Sequence, residues 1–234
     1  MGSDLIDTTE MYVRTVWELE EEGIPAIRAR LTERLGLSAP SVSETVTRLQ
    51  HDGLLRLNAD RTLELTEDGR ALAVSVMRKH RLAERLLVDV IGLEWERVHV
   101  EACRWEHVIS DDVEHKLVEL LERPERDPHG NTIPDRERGD HPAHGLPSLR
   151  QAAKDGAGAV RIDRMSEHLQ ADIGAMRFLA GRDLRPGAVV SIEATEGDAV
   201  VVDDGSGPVR VDDVLANLVY VTVLSAAPAA ATEA

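Results

Sequence analysis

Two groups of residues carry side chains that bind divalent metal. His80 and Glu84 stand four apart, which on a helix places imidazole and carboxylate on one face, and both ligate divalent cations. The second group is His99, Cys103, Glu106 and His107, which falls within an arc of roughly 100° if the stretch is one helix. A His/Glu pair at this spacing is common on solvated helix surfaces, and a lone cysteine is commonly a small buried hydrophobe. Four ligand types on one stripe are the stronger signal. The helical rise puts His99 and His107 ~12 Å apart, whereas metal–ligand bonds are about 2.0–2.3 Å. The spacing therefore predicts two ions. Cys103, Glu106 and His107 share one; His99 joins His80 and Glu84, from a neighbouring antiparallel helix, on a second roughly 9 Å away. Paired metals of hydrolases sit about 3.5–4 Å apart on bridging ligands, so the separation disfavours a two-metal hydrolase. Neither a Ser/His/Asp order, an H-E-x-x-H run nor a Gly-rich phosphate loop occurs. The chain reads as a metal binder and not an enzyme.

Those ligands need helices, and the pattern supplies them. Asp7 caps a first helix, with Glu10 in the capping-box position and Tyr12, Val16 and Leu19 on one face up to Gly23. A second helix fits Ala26 to Leu35, and after the turn at Gly36 a third opens at Pro40 and ends at Gly53. Leu54 to Leu57 and Leu63 to Leu65 flank a polar turn and read as a hairpin. Together these predict a winged helix-turn-helix. Thr66 caps a long helix to about Ile91, followed by helices over about Glu94 to Ile109 and Asp111 to Glu122.

From Arg123 to Gly158 five of the ten prolines and five glycines break every period. Beyond lie Ala159-Val160-Arg161-Ile162, a helix around His168 to Ala180, and valine-rich strands near 188–193, 199–202 and 218–224. The expected class is mainly α with a β-rich C-terminal part. The expected organisation is a winged helix-turn-helix at 1–74, a helical metal-binding domain at 75–140, a flexible linker at 141–158, a β-rich domain at 159–225 and a disordered tail at 226–234. Histidines 129, 141 and 144, scattered in the loop, read as solvated.

Composition narrows the partners. The 234 residues are 42% hydrophobic and 30% charged, ordinary for a globular chain. The apolar runs fall far short of the ~18 residues of a membrane span, and the acidic start lacks a signal peptide's basic end, so the expectation is a cytoplasmic protein with no membrane partner. One cysteine excludes an internal disulfide framework. Six aromatics (one Phe, two Tyr, three Trp) argue against stacking of single-stranded nucleic acid. A net charge of −16 is the wrong sign for non-specific duplex binding. Yet six arginines face four acids between Arg28 and Arg61, which leaves a local basic face.

At Asp7-Thr8-Thr9-Glu10-Met11-Tyr12, at Val76 to Leu87 (VMRKHRLAERLL) and at Glu101-Ala102-Cys103-Arg104-Trp105-Glu106-His107-Val108, the chain closely resembles the iron-dependent repressors of the diphtheria toxin repressor family. The resemblance covers residues 4–122 nearly continuously, continues at Gly130-Asn131-Thr132-Ile133-Pro134 and thins beyond, with Ser166-Glu167-His168-Leu169-Gln170 similar to a third-domain segment that reaches back to a metal. It implies a primary site of Met11, Cys103, Glu106 and His107 and an ancillary site of His80, Glu84, His99, Glu167 and Gln170. It also implies a homodimer built on the middle domain, with Trp105 at the interface, and an SH3-like C-terminal barrel.

The implied function is an Fe²⁺-activated transcriptional repressor, with two ions per subunit, that binds palindromic double-stranded operators of iron-uptake and related genes. Sulfur ligands at Met11 and Cys103 favour a late first-row ion over Mn²⁺, with Co²⁺, Ni²⁺, Mn²⁺ or Zn²⁺ as substitutes in vitro. Manganese-sensing relatives carry carboxylates in place of the sulfurs, and a manganese-responsive repressor is the alternative. In the candidate recognition helix, Ser38 and Pro40 resemble positions that touch thymine methyls, while Arg28, Ser41, Ser43, Arg48 and Arg61 fit phosphate contacts. Glu44 departs from the family's usual Gln; its carboxylate accepts from cytosine and is repelled by phosphate. Arg81 and Asn131 resemble an anion contact. Metal is expected to neutralise clustered carboxylates and to pull Met11 against Cys103, Glu106 and His107, setting the spacing of two reading heads.

Overall fold

The structure is a computed structural model that describes residues 7–135 and 145–226. His141, His144 and the tail beyond Ala226 lie outside the described residues. Two compact units divide the chain: residues 7–127 with 132–135, and residues 128–131 with 145–226.

The first unit opens with α1 (Thr8–Glu21), started where the Asp7 carboxylate accepts from the backbone N–H groups of Thr9 and Glu10. Helix α2 (Arg28–Leu35) stops at Gly36, whose φ of 63° suits a glycine C-cap. Helix α3 (Ala39–His51) starts on the Ser38 side-chain cap with proline in its first turn. Strands β1 (Leu55–Leu57) and β2 (Leu63–Leu65) pair antiparallel as the wing. Tyr12, Val13, Val16 and Trp17 of α1, Leu31, and Val42, Val46 and Leu49 of α3 close one core with the wing leucines. This is the winged helix-turn-helix that the pattern predicts.

Helix α4 (Glu67–Leu86) follows, capped by Thr66, and a π-helical turn carries the chain on to Ile91. The single helix expected over 94–109 is interrupted. It begins as a 3₁₀ turn (Trp95–Arg97), continues as α5 (Val98–Trp105) and ends in a turn at Glu106, which swings Ile109 into the core before Ser110 caps α6 (Asp111–Leu120). Leu82, Ala83, Val98, Ala102, Ile109 and Leu117 form this second core.

The second unit is a five-stranded antiparallel sheet in the order β6-β5-β4-β3-β7, from β3 (Ala157–Met165), β4 (Val189–Glu196), β5 (Ala199–Asp203), β6 (Val209–Asp212) and β7 (Val219–Ala226). Four short helices accompany it: α7 (Leu149–Lys154), α8 (Glu167–Gln170), α9 (Ile173–Ala180) and α10 (Asp213–Leu218). Helix α7 lies inside the stretch expected as linker, because Ser148 caps it and Leu149 and Ala152 are buried. The helix expected around 168–180 is split where the Asp172 carboxylate caps a fresh start. His129, expected in solvent, is fully buried, and its carbonyl accepts from Met165 N–H in this unit.

Candidate metal centre and nucleic-acid interface

The turn after α5 reorganises the ligand stripe. His99 and Cys103 stay on the helix; Glu106 is its C-cap residue and His107 follows in the turn. His80 and Glu84, one helical turn apart on α4, are fully buried against them. His80 Nε2 lies 3.1 Å from Glu84 Oε1 and 3.2 Å from His99 Nδ1, and His99 Nδ1 lies 3.4 Å from Glu84. Side chains of the two expected donor sets are in contact. His80 Nδ1 donates to Glu106 Oε2 at 2.6 Å, and Cys103 Sγ is 3.5 Å from His99 Nε2. The ligand atoms of His80, His99 and Cys103 lie within 4.8 Å of one another. Axial rise measures separation along one helix, whereas side chains of ~5 Å reach meet across two packed ones.

Around Cys103 and Glu106 the pattern reading missed a cation. Arg14 of α1 donates from Nη1 to both oxygens of Glu106, at 2.8 and 2.7 Å, lies 3.3 Å from Cys103 Sγ through the same nitrogen, and donates from Nε to Glu18 at 2.6 Å. A signal existed: Arg14 follows Met11 by three residues, on the same helix face, in an otherwise buried stretch. Met11 itself is half-buried against the core of the winged helix-turn-helix. His107 Nδ1 donates to Glu10 Oε2 at 2.6 Å, and its Nε2 is 3.3 Å from Glu106.

Electrostatics favour the ionised thiol and carboxylate of this network and the protonated form of its imidazoles. Burial would push the Cys103 thiol up, but Arg14, His99 and hydrogen bonds from His80 and His99 hold it well below its ordinary value. Burial likewise opposes ionisation of Glu106, yet Arg14 and His80 bring its carboxyl down to about 2. Burial and Arg14 lower His80, while Glu84, Cys103 and Glu106 outweigh them and raise it well above an ordinary imidazole. The hydrogen bond to Glu10 raises His107. Ionised thiolate and carboxylate are the forms that ligate metal.

Glu167 and Gln170 belong to the second unit, both buried on α8. The Gln170 amide donates from Nε2 to the Met165 carbonyl, while its Oε1 is buried without a hydrogen-bond partner. A buried amide oxygen of this kind is able to serve as an oxygen donor to a cation. Arg81 is fully buried in the first unit, donating to both Glu21 oxygens and to the Thr132 carbonyl and lying 3.6 Å from Asp127. A protein carboxylate thus already faces it. Asn131 lies in the second unit and accepts from Arg164 at 3.4 Å.

The recognition helix divides its faces cleanly. Val42, Val46 and Leu49 are buried; Pro40, Ser41, Ser43, Glu44 and Arg48 are exposed. Ser38 spends its hydroxyl on the Ser41 N–H as a helix cap. Arg48 reaches Thr9 Oγ1 at 3.4 Å and Asp52 at 3.6 Å. Arg28, at the start of α2, donates to Gln50 at 3.4 Å. Arg61 is exposed at the wing tip with a φ of 69°.

Comparison with known proteins agrees with these two features. Residues 4–63 match the model of the iron dependent repressor N-terminal DNA binding domain, and residues 66–135 match the iron dependent repressor metal binding and dimerisation domain. The chain is 52% identical over 206 residues to the iron-dependent repressor IdeR of Mycobacterium tuberculosis, covering 86% of this chain and 90% of that one. It is 48% identical over 215 residues to the diphtheria toxin repressor of Corynebacterium glutamicum, covering 90% and 94%. Among solved structures, a manganese-dependent transcriptional repressor in complex with manganese superposes with a TM-score of 0.80 at 27% identity, covering 93% of this chain and all of that one. T. acidophilum IdeR gives 0.75 at 29%, covering 95% and 100%. An N-terminal helix-turn-helix whose first helix meets a cluster of candidate metal donors is thus matched, domain by domain, by one group of regulators: the chain belongs to the iron-dependent repressor family, and it binds operator DNA as a homodimer.

Proposed function

We infer that the chain is a ferrous-ion sensor of the cytoplasm that represses iron-uptake and related genes at palindromic operators, and that it is a regulator rather than a catalyst. The observation that carries this reading is the Cys103 sulfur beside the Glu106 carboxylate, at the end of α5 and linked to α1 through Arg14. A soft sulfur and a hard carboxylate in one shell suit Fe²⁺ better than Mn²⁺. Met11, Cys103, Glu106 and His107 would hold the regulatory ion. His80, Glu84, His99, Glu167 and Gln170 would hold the ancillary one, giving two per subunit, with Co²⁺, Ni²⁺, Mn²⁺ or Zn²⁺ as substitutes in vitro.

A bound divalent ion supplies positive charge and coordinate bonds to thiolate and carboxylate. The chain's own residues convert that into a signal. Met11 sits on α1, whose other face anchors Tyr12, Val13, Val16 and Trp17 in the DNA-binding core. Drawing Met11 toward the α5 turn therefore moves a rigid reading head, and metal biases the equilibrium by binding that shape more tightly. Ser38, Pro40, Ser41, Ser43, Glu44 and Arg48 meet the major groove and its phosphates, with Arg28 and Arg61 on the flanking backbone. The domain division proposed is 1–74 for DNA, 75–140 for metal and dimer, and 159–225 for an SH3-like domain.

The manganese reading is supported by the similarity to manganese-dependent regulators and opposed by the sulfur donors. Anaerobic gel shifts of a genomic fragment pool against free Fe²⁺ and Mn²⁺, with retained fragments sequenced, separate the two. Retention of a palindrome at lower free Fe²⁺ than free Mn²⁺ is expected, and retention at lower free Mn²⁺ would favour the manganese reading. Met11→Ala and Cys103→Ala should each abolish Fe²⁺-dependent retention while leaving a folded dimer. Wild-type retention in both variants would refute the ligand assignment.

A further inference from the structure

The donors proposed for the regulatory ion already face a positive charge of the protein's own. Arg14 contributes one nitrogen to both Glu106 oxygens and to Cys103 Sγ, at 2.7–3.3 Å. It is itself buried at 7% exposure, and Glu18 steadies its Nε. A divalent ion ligated by Cys103 and Glu106 at about 2.0–2.3 Å would stand between those donors, where Arg14 Nη1 already lies, and two like charges there repel. The two cations compete for the same place, and one of them is fixed to α1 three residues from Met11.

We propose that Arg14 is a tethered counter-cation for the Cys103–Glu106 pair, which metal must displace, so that ion binding is coupled to movement of α1. This rests on the metal assignment above and adds a residue to it. Arg14 keeps the buried Glu106 carboxylate compensated beside the Cys103 sulfur, since a buried charge without a partner is strongly destabilising. It thereby raises the metal concentration needed for occupancy. When the guanidinium leaves, the thioether of Met11 is the α1 group that takes over the link to the α5 turn. Exchange of one α1–α5 bond for another, one helical turn apart, is a two-state device rather than a graded one.

Anaerobic Co²⁺ titration of the full-length protein, read at the thiolate-to-cobalt charge-transfer band, tests this. Arg14→Leu removes the competitor and supplies no donor; Arg14→Lys keeps the charge. Arg14→Leu should bind Co²⁺ roughly tenfold to hundredfold more tightly than wild type, the equivalent of one or two charge-assisted hydrogen bonds no longer broken. Arg14→Lys should stay within about threefold of wild type, by retention of the point charge. Without metal, Arg14→Leu should melt below wild type, and saturating Co²⁺ should close the gap. If Arg14→Leu is unfolded without metal, return of helical circular dichroism on adding Co²⁺ has the same meaning. Unchanged or weaker Co²⁺ binding in Arg14→Leu, or failure of Co²⁺ to restore its fold, overturns the proposal. If wild type and Cys103→Ala titrate alike, without a thiolate band, the metal assignment falls and the proposal with it, an outcome distinct from a band that Arg14→Leu leaves in place.

Discussion

Substitution of Glu106 by Gln gives the most quantitative test of the buried network. Glu106 is 3% exposed, is held by Arg14 and His80, and has its carboxyl brought from 4.5 down to about 2. A depression of that size corresponds to about 3 kcal/mol of folding stability at neutral pH, at 1.36 kcal/mol per pH unit. Because the folded value lies below the unfolded one, this stabilisation is present above about pH 4.5 and is lost as pH falls through about 2. Some 2 kcal/mol of it, roughly, is gone by pH 3. Glu106→Gln keeps the shape and removes the titration. All three tryptophans, Trp17, Trp95 and Trp105, lie in the first unit, so their fluorescence in urea melts of the chelator-treated protein reports that unit alone. Wild type should exceed Glu106→Gln by about 3 kcal/mol at pH 7, and the difference should shrink by about 2 kcal/mol at pH 3. A difference that stays constant between the two pH values would refute the claim that Glu106 is ionised and compensated inside the fold.

Further expectations concern other parts of the molecule. The hydrogen bond from His107 to Glu10 raises the imidazole, so its stabilisation is present below the unfolded imidazole value and is lost as pH rises through the raised folded one. Glu10→Gln should lower the His107 titration midpoint in NMR and remove that alkaline loss. Gly69→Ala places a Cβ 2.0 Å from the Leu54 carbonyl oxygen, a backbone clash that should cost about 2–4 kcal/mol in thermal or urea melts; an unchanged melt contradicts the close approach of α4 to the wing. Arg48→Ala should weaken binding about equally across DNA sequences and reduce the salt slope by about one. By contrast, Glu44→Gln should change preference at one base pair by about 1–3 kcal/mol, read by competition among operator variants.

The sequence determined the elements whose signals are local. Asp7, Ser38, Thr66 and Ser110 cap helices because their side chains answer backbone N–H groups within three residues. The wing follows from alternating leucines around a polar turn, and the family from motifs spanning the ligands. What sequence could not determine was set by contacts across elements. The helix carrying His99 stops at Trp105, and the turn that follows buries Ile109. Strand β6 carries too short a valine alternation to stand out until β5 pairs with it. His129 looks like a loop histidine and is fully buried, with its backbone carbonyl accepting from Met165 N–H. Spacing named both groups of metal donors but not the contacts between them. Those contacts, with Arg14 as counter-cation, depend on α1, α4 and α5 packing side by side, and helical periodicity carries no information about which face of one helix meets which face of another.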